Sequence, residues 1–292
     1  MNGVRIGNGC GFWGDSIDAP ARLAAHGQLD YLTLEYLAEL TMSILALQKQ
    51  RDPQAGYASD FLDVLPTLLP HLPALRIITN AGGMNPHGCA VRARALLDAA
   101  GLANVPLGVV SGDDLMPTLA RHDLNHLDTG EPLASVRGRV VSANVYLGSA
   151  PIVECLQRGA RVVLTGRVAD ACLTVAPAAF EHNWRLDDHN RLAGGTVAGH
   201  LIECGAQVTG GLWMHGEECD LANVGYPIAT IAEDGSCQIT KPPGTGGAVN
   251  RETVAEQLLY EVGNPAAYLT PDVTADFTSV ELRETGPNQV SV

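Results

Sequence analysis

The chain has 292 residues, 46% hydrophobic and 17% charged, with a formal net charge of −14. That is a globular composition with apolar residues enough for one or two domains; a chain this acidic repels phosphate backbones, which argues against nucleic acid as a partner, and without a basic patch it has no attraction for an anionic membrane surface. Seven cysteines, an odd number with no C-x-x-C pair, argue against a disulfide framework and for a reducing cytoplasm; the chain opens on no signal peptide and has no apolar run of the ~18 residues that would span a bilayer.

VRIGN (4–8) reads as a short buried strand, followed by GCGFWGD. DAPARLAAHG (18–27) reads as a helix ended by Gly27. LDYLTLEY (29–36) starts as a strand and runs into a helix, LAELTMSILALQKQ. YASDFLDVLPTLLPHL (57–72) is a helix with prolines near its end. LRIITN (75–80) is a strand, followed by a helix over 87–101. VPLGVVSG (105–112) is a strand and DDLMPTLARH (113–122) a helix. RVVSANVYLG (139–148) is a strand, IVECLQRG (152–159) a helix and ARVVLTG (160–166) a strand. Helices follow at about 168–180 and 187–207. YPIATIAEDGSCQIT (226–240) is a hairpin turning at Asp-Gly, NRETVAEQLLYEVG (250–263) a helix capped by Gly263, and VTADFTSVELRE (273–284) alternates like a strand.

Short apolar strands alternating with helices predict an α/β fold: a mainly parallel sheet flanked by helices in Rossmann-like layers, with a mixed α+β C-terminal part. We divide the chain into an α/β core over 1–215 and an extension over 216–292, packed on the core and reading as the start of a further, truncated domain.

Parallel sheets bind ligands beyond the carboxyl ends of their strands. The predicted tips combine glycine, which lets backbone approach a ligand, with polar side chains that orient it. They offer Asn8; Asn80, Gly82 and Gly83; Asp113 and Asp114; Asn144; and Thr165, Arg167 and Asp170. Gly9-x-Gly11-x-x-Gly14 formally matches the dinucleotide fingerprint, with Glu35 placed like its acidic residue. Phe12 and Trp13 crowd that turn and the next helix starts late, so a nicotinamide cofactor is not expected. A second glycine-rich loop, TKPPGTGGAVN (240–250), offers Lys241, Gly244 and Gly246 to a phosphate or carboxylate; it lacks the GK[ST] of a Walker loop.

HLIECGAQVTGG (200–211), if helical, stacks His200, Glu203, Cys204 and Gln207 on one face. Burying imidazole, carboxylate and amide unpartnered would cost several kcal/mol, so the face is placed beside a polar cleft. There His200 would favour the Cys204 thiolate and Glu203 would orient the ring. As a metal site the set is poor, and no divalent metal is expected.

EYLAELTMSILA, RDPQAGYASDF, ITNAGGMNP, GDDL, LDTGEPL, ANVYLG, TGRVADACL, GHLIECGAQVTGG, TKPPGTGG and LLYE, in this order, are together similar to the acyclic terpene utilisation protein AtuA family. The resemblance runs through nearly the whole chain. It implies an α/β domain and a place in the breakdown of citronellol- and geraniol-like terpenes as acyl-CoA thioesters; it assigns no catalytic residue. The first expectation is therefore an enzyme acting on a branched acyl-CoA or the related acid. It would use Cys204 as nucleophile with His200, or Asp113, Asp170 or a histidine as acid and base, with Arg167 clamping an anion. The alternatives are a non-catalytic ligand-binding subunit and a nicotinamide- or metal-dependent enzyme. A small-molecule substrate and a homo-oligomer are the expected partners.

Overall fold

The computed structural model describes residues 2–292. Five parallel strands form its centre: β1 (Val4–Asn8), β2 (Tyr31–Leu34), β3 (Arg76–Thr79), β4 (Leu107–Val110) and β5 (Val162–Thr165). All four residues of β2 and of β5 are buried, because helices cover both faces. On one face lie α1 (Ala19–His26), α2 (Glu39–Arg51), α3 (Asp60–Leu68) and α4 (Pro86–Ala99). On the other lie α5 (Ala150–Gln157), α6 (Cys172–Glu181), α7 (His189–Glu203) and α8 (Arg251–Leu259). Alternate strand residues feed the two cores: Ile78 and Val163 point to one, Ile77, Val162 and Leu164 to the other.

The C-terminal part continues this sheet. The hairpin of β6 (Ile228–Ile231) and β7 (Cys237–Thr240) turns at Asp234–Gly235, and β6 pairs antiparallel with β1. A separate small ribbon joins β8 (Tyr268–Leu269) to β9 (Thr274–Ala275). β10 (Arg283–Gly286) and β11 (Gln289–Ser291) extend the main sheet beyond β7, giving the order β10-β11-β7-β6-β1-β2-β3-β5-β4. No helix among the described residues is long and apolar enough to cross a membrane.

Five sequence expectations differ from the structure. The strand expected over 273–284 is broken by the 3₁₀ turn Phe277–Ser279 between β9 and β10, and the helix expected to be capped by Gly263 ends at Leu259, with Tyr260 extended at its C-cap. Residues 139–148 form no strand, and β4 is left as the edge of the sheet. That segment crosses the strand tips instead, touching them through single bridges, Leu147 to Val168 and Asn144 to Asp114. The helix expected over 113–122 is a tight 3₁₀ stretch, Met116–Arg121. α7 stops at Glu203, because Gly205 takes a left-handed φ of 58° and turns the chain into the 3₁₀ turn Gly205–Gln207.

Strands β3 and β5 are neighbours, yet the chain leaves β3 toward α4 on one face and β5 toward α6 on the other. A crevice opens between such diverging connections. The end of α7 is drawn over it by β1 and its loop. Asn8 Nδ2 donates to the carbonyls of Ile202 (2.7 Å) and Glu203 (2.9 Å). Gly11 packs directly on Cys204, where a Cβ would stand 2.5 Å from the carbonyl carbon.

Gly11→Ala is expected to lower the unfolding free energy by about 2 kcal/mol, because rigid backbone must give way. Gly138→Ala, which would meet nothing within 4 Å, should stay within about 0.5 kcal/mol of the parent. Urea unfolding midpoints of the two variants measure the contrast.

Candidate functional site

A cleft of about 470 Å³ opens beyond the tips of β1, β2 and β5, beside the end of α7. Its polar wall is acidic: Asp15, Glu35, Asp170, Glu203 and Glu261 line it, with the Cys204 thiol and Gln207. Its apolar wall is Phe12, Leu37, Leu212, Tyr226 and Tyr260. Phe12 and Leu212 leave 59% and 70% of their surface exposed, so the mouth of the cleft is greasy.

Glu35 follows β2 and is 3% exposed. Its Oε1 accepts from the Leu37 amide (3.0 Å) and from Asn80 Nδ2, while Asn80 Oδ1 accepts from the Tyr36 amide (2.8 Å). Its Oε2 is buried with no partner. Burial, and next the charge of Asp170, push its pKa well above the carboxylate range; Arg167 and the hydrogen bonds oppose this without prevailing.

Arg167 follows β5 and lies under the cleft, 3% exposed. Its guanidinium donates to Asp170 Oδ1 (2.7 Å) and to the Leu37 carbonyl (3.3 Å), and lies 4.1 Å from the centroid of the Tyr146 ring. Its amide donates to Asp113 Oδ2 (3.0 Å), which also accepts from Asn144 Nδ2 (2.8 Å). Asp170 keeps about a third of its side chain exposed. Burial of its carboxyl deep in the cleft, and then the charge of Glu203, raise its pKa to about 7 despite the Arg167 ion pair.

His200 lies behind this wall, 1% exposed. Its Nδ1 meets Glu203 Oε1 at 2.9 Å, the i,i+3 pairing the helix spacing predicts. The ring sits between Tyr268 and Phe277, with centroids at 5.4 and 5.5 Å. Burial works against the charged ring, but the hydrogen bond and charge of Glu203 outweigh it, and the pKa is raised. His200 Nε2 and Glu203 Oε2 are buried without partners.

The Cys204 thiol is not activated. Burial, with Glu203 beside it, pushes its pKa to about 12, and it makes no hydrogen bond to His200 among the described residues. The imidazole serves Glu203 instead, so the thiolate expected from helix spacing is absent at neutral pH.

Of the other sequence-predicted residues, Asn80, Arg167, Asp170, Glu203, Cys204 and Gln207 gather at the cleft or its floor. Asn8 holds the end of α7 and Asp113 holds the Arg167 loop with Asn144, so these three act in support. Asp114 is exposed and accepts from the Met116 amide (2.9 Å). Thr165 is buried and donates to the Gly166 carbonyl. Gly82 allows close packing on the Thr165 carbonyl, and Gly83 on Leu45. Lys241, Gly244 and Gly246 lie elsewhere, around the loop after β7; Gly246 is pressed on the Asp220 backbone. Asp15, Tyr226, Tyr260 and Glu261 were not singled out by the sequence. They come from loops and element ends without a pattern, and only the tertiary fold brings them here. Glu35 was visible only as a ribose ligand under the glycine fingerprint. The loop's Gly11 is instead filled by Cys204, and α1 starts only at Ala19.

The description "acyclic terpene utilisation family protein AtuA" belongs to a family model that matches residues 4–292. Neither the curated proteins nor the solved structures hold a match to this chain. With a match over essentially its whole length, the chain belongs to the acyclic terpene utilisation AtuA family.

Proposed function

We propose that the chain is an acid–base enzyme of acyclic terpene breakdown, acting on a branched acyl compound whose carbonyl group enters the carboxylate cleft. The observation that carries this reading is the company of Glu35 and Asp170: two carboxyl groups with raised pKa, in one cleft, beside one buried guanidinium. Displaced carboxyl pKa values beside a specific charge partner in a cleft mark acid–base sites.

Roles follow from the surroundings. Glu35 retains its proton, and its unpartnered Oε2 is free to donate to a carbonyl oxygen, stabilising charge that develops there. Asp170, poised near 7 and partly exposed, exchanges a proton with the carbon skeleton or with water. Arg167 holds Asp170 in place and stays charged throughout. Hydration, dehydration and cleavage next to a carbonyl all use this division of labour.

The walls select the substrate. An exposed apolar mouth suits an isoprenoid chain, and an acidic lining without a Lys, Arg or His among the described residues disfavours a free carboxylate. A thioester, whose carbonyl is neutral, fits better than the free acid.

On a panel of isoprenoid acyl thioesters, Asp170→Asn should lower kcat by about a hundredfold or more, while Cys204→Ser stays within a few-fold of the parent. The kcat profile should show an apparent pKa near 7 that Asp170→Asn abolishes. A Cys204→Ser variant as inactive as Asp170→Asn would sink the reading.

Stability should carry the same signature. The folded protein binds protons on Glu35 and Asp170 that the unfolded chain releases, so stability falls as pH rises. For Asp170 the window runs from its ordinary 3.8 to about 7, and for Glu35 it extends well above the ordinary 4.5. Glu35→Gln keeps an acceptor for Leu37 and Asn80 and removes the proton that the unfolded chain would release. It should unfold at higher urea than the parent at pH 8 and at the same urea at pH 4; equal midpoints at both pH values would contradict a buried, proton-holding Glu35.

A further inference from the structure

A second cavity, of about 430 Å³, lies between α1 and the glycine-rich loop after β7. Its electrostatics are the reverse of the cleft's. No carboxylate lines it among the described residues, although the chain carries a net charge of −14. Arg22 and His26 line it from α1, one helical turn apart on the same face. Behind its opposite wall stands Lys241, 8% exposed, with Nζ donating to the Thr245 carbonyl (2.6 Å). Lys241 has no carboxylate within ion-pair distance among the described residues. A buried ammonium without a counter-ion is costly, and burial lowers its pKa accordingly. The Gly244 and Thr245 amides, which line the same wall, donate no hydrogen bond among the described residues.

These features share one complement. We infer that this cavity is an anion subsite that takes a phosphoryl or diphosphoryl group, held by Arg22, His26 and the 244–245 amides, with Lys241 as the charge behind them. Tyr226 lines both this cavity and the acidic cleft. One ligand can therefore lie across it, with its anionic end here and its neutral, reacting end among the carboxyl groups. Only that second placement rests on the acid–base reading above. The anion subsite stands on its own lining.

Inorganic pyrophosphate is the probe. Calorimetric titration of the full chain should show one site that weakens as salt rises. Arg22→Ala should weaken it about tenfold or more, and Lys241→Met likewise. Asp170→Asn should bind as the parent does. No heat at millimolar pyrophosphate, or equal binding by the parent, Arg22→Ala and Lys241→Met, would overturn the subsite. In the turnover assay pyrophosphate should raise KM and leave kcat unchanged; a lowered kcat at constant KM would overturn the shared ligand. Loss of pyrophosphate binding with an inactive Asp170→Asn removes this inference alone. Intact binding with an active Asp170→Asn removes only the acid–base reading.

Discussion

One buried guanidinium sets the terms for the cleft. Arg167 is, among the described residues, the one guanidinium paired with an array in which Glu35, Asp170 and Glu203 face a common space; Glu203 is met by His200 instead. A guanidinium does not give up its charge, so it balances Asp170 and leaves the buried Glu35 without an ion-pair partner. Carboxyl groups that are desolvated and lack a counter-charge keep their protons. The raised carboxyl pKa values of the cleft thus follow from burial and a shortage of positive charge. A second arginine there would turn the same carboxyls into inert ion pairs.

Holding Arg167 explains segments that otherwise look idle. Residues 111–149 contribute little regular structure, yet Asp113 anchors the Arg167 amide, Asn144 braces Asp113, and Tyr146 covers the guanidinium. Tyr146 also donates to Glu39 (2.5 Å), at the start of α2. The C-terminal part does the same for the other wall. Gln257 of α8 donates to the His200 carbonyl, and Tyr268 and Phe277 box in the His200 ring. His200 then fixes the Glu203 carboxylate. Through His200 the part of the chain beyond 215 thus braces the Glu203 wall of the cleft.

Much of this was readable in the sequence. Short apolar strands between helices gave a parallel sheet, and the rule that ligands lie beyond strand tips picked out Asn80, Arg167 and Asp170. The i,i+3 spacing predicted the His200–Glu203 pair. What the sequence could not show was the environment each group would meet. Cys204 looks activatable beside His200, but its pKa is governed by burial and by a carboxylate whose own partner is that histidine. Asn8 looks like a ligand, but both its amide hydrogens are spent on the end of α7, 194 and 195 residues away. Residues 139–148 read as a strand, but they cross the strand tips and touch them only through the single bridges of Leu147 and Asn144. Local pattern encodes elements; protonation and partner choice are set by groups distant in sequence.

The glycine loop after β1 shows how one motif is redirected. In a dinucleotide fold such glycines bring backbone toward a pyrophosphate. Here Gly11 brings it toward Cys204, and its amide donates to Asp15 Oδ2 (2.9 Å). Asp15 Oδ1 in turn accepts from the Tyr226 hydroxyl (2.5 Å). Loop, helix end and tyrosine are thereby tied into one partition, with the acidic cleft on one side and the cavity of Arg22 and His26 on the other. The loop that looks built to hold a cofactor instead serves packing: its glycine meets the Cys204 backbone and its amide meets the Asp15 carboxylate that holds Tyr226.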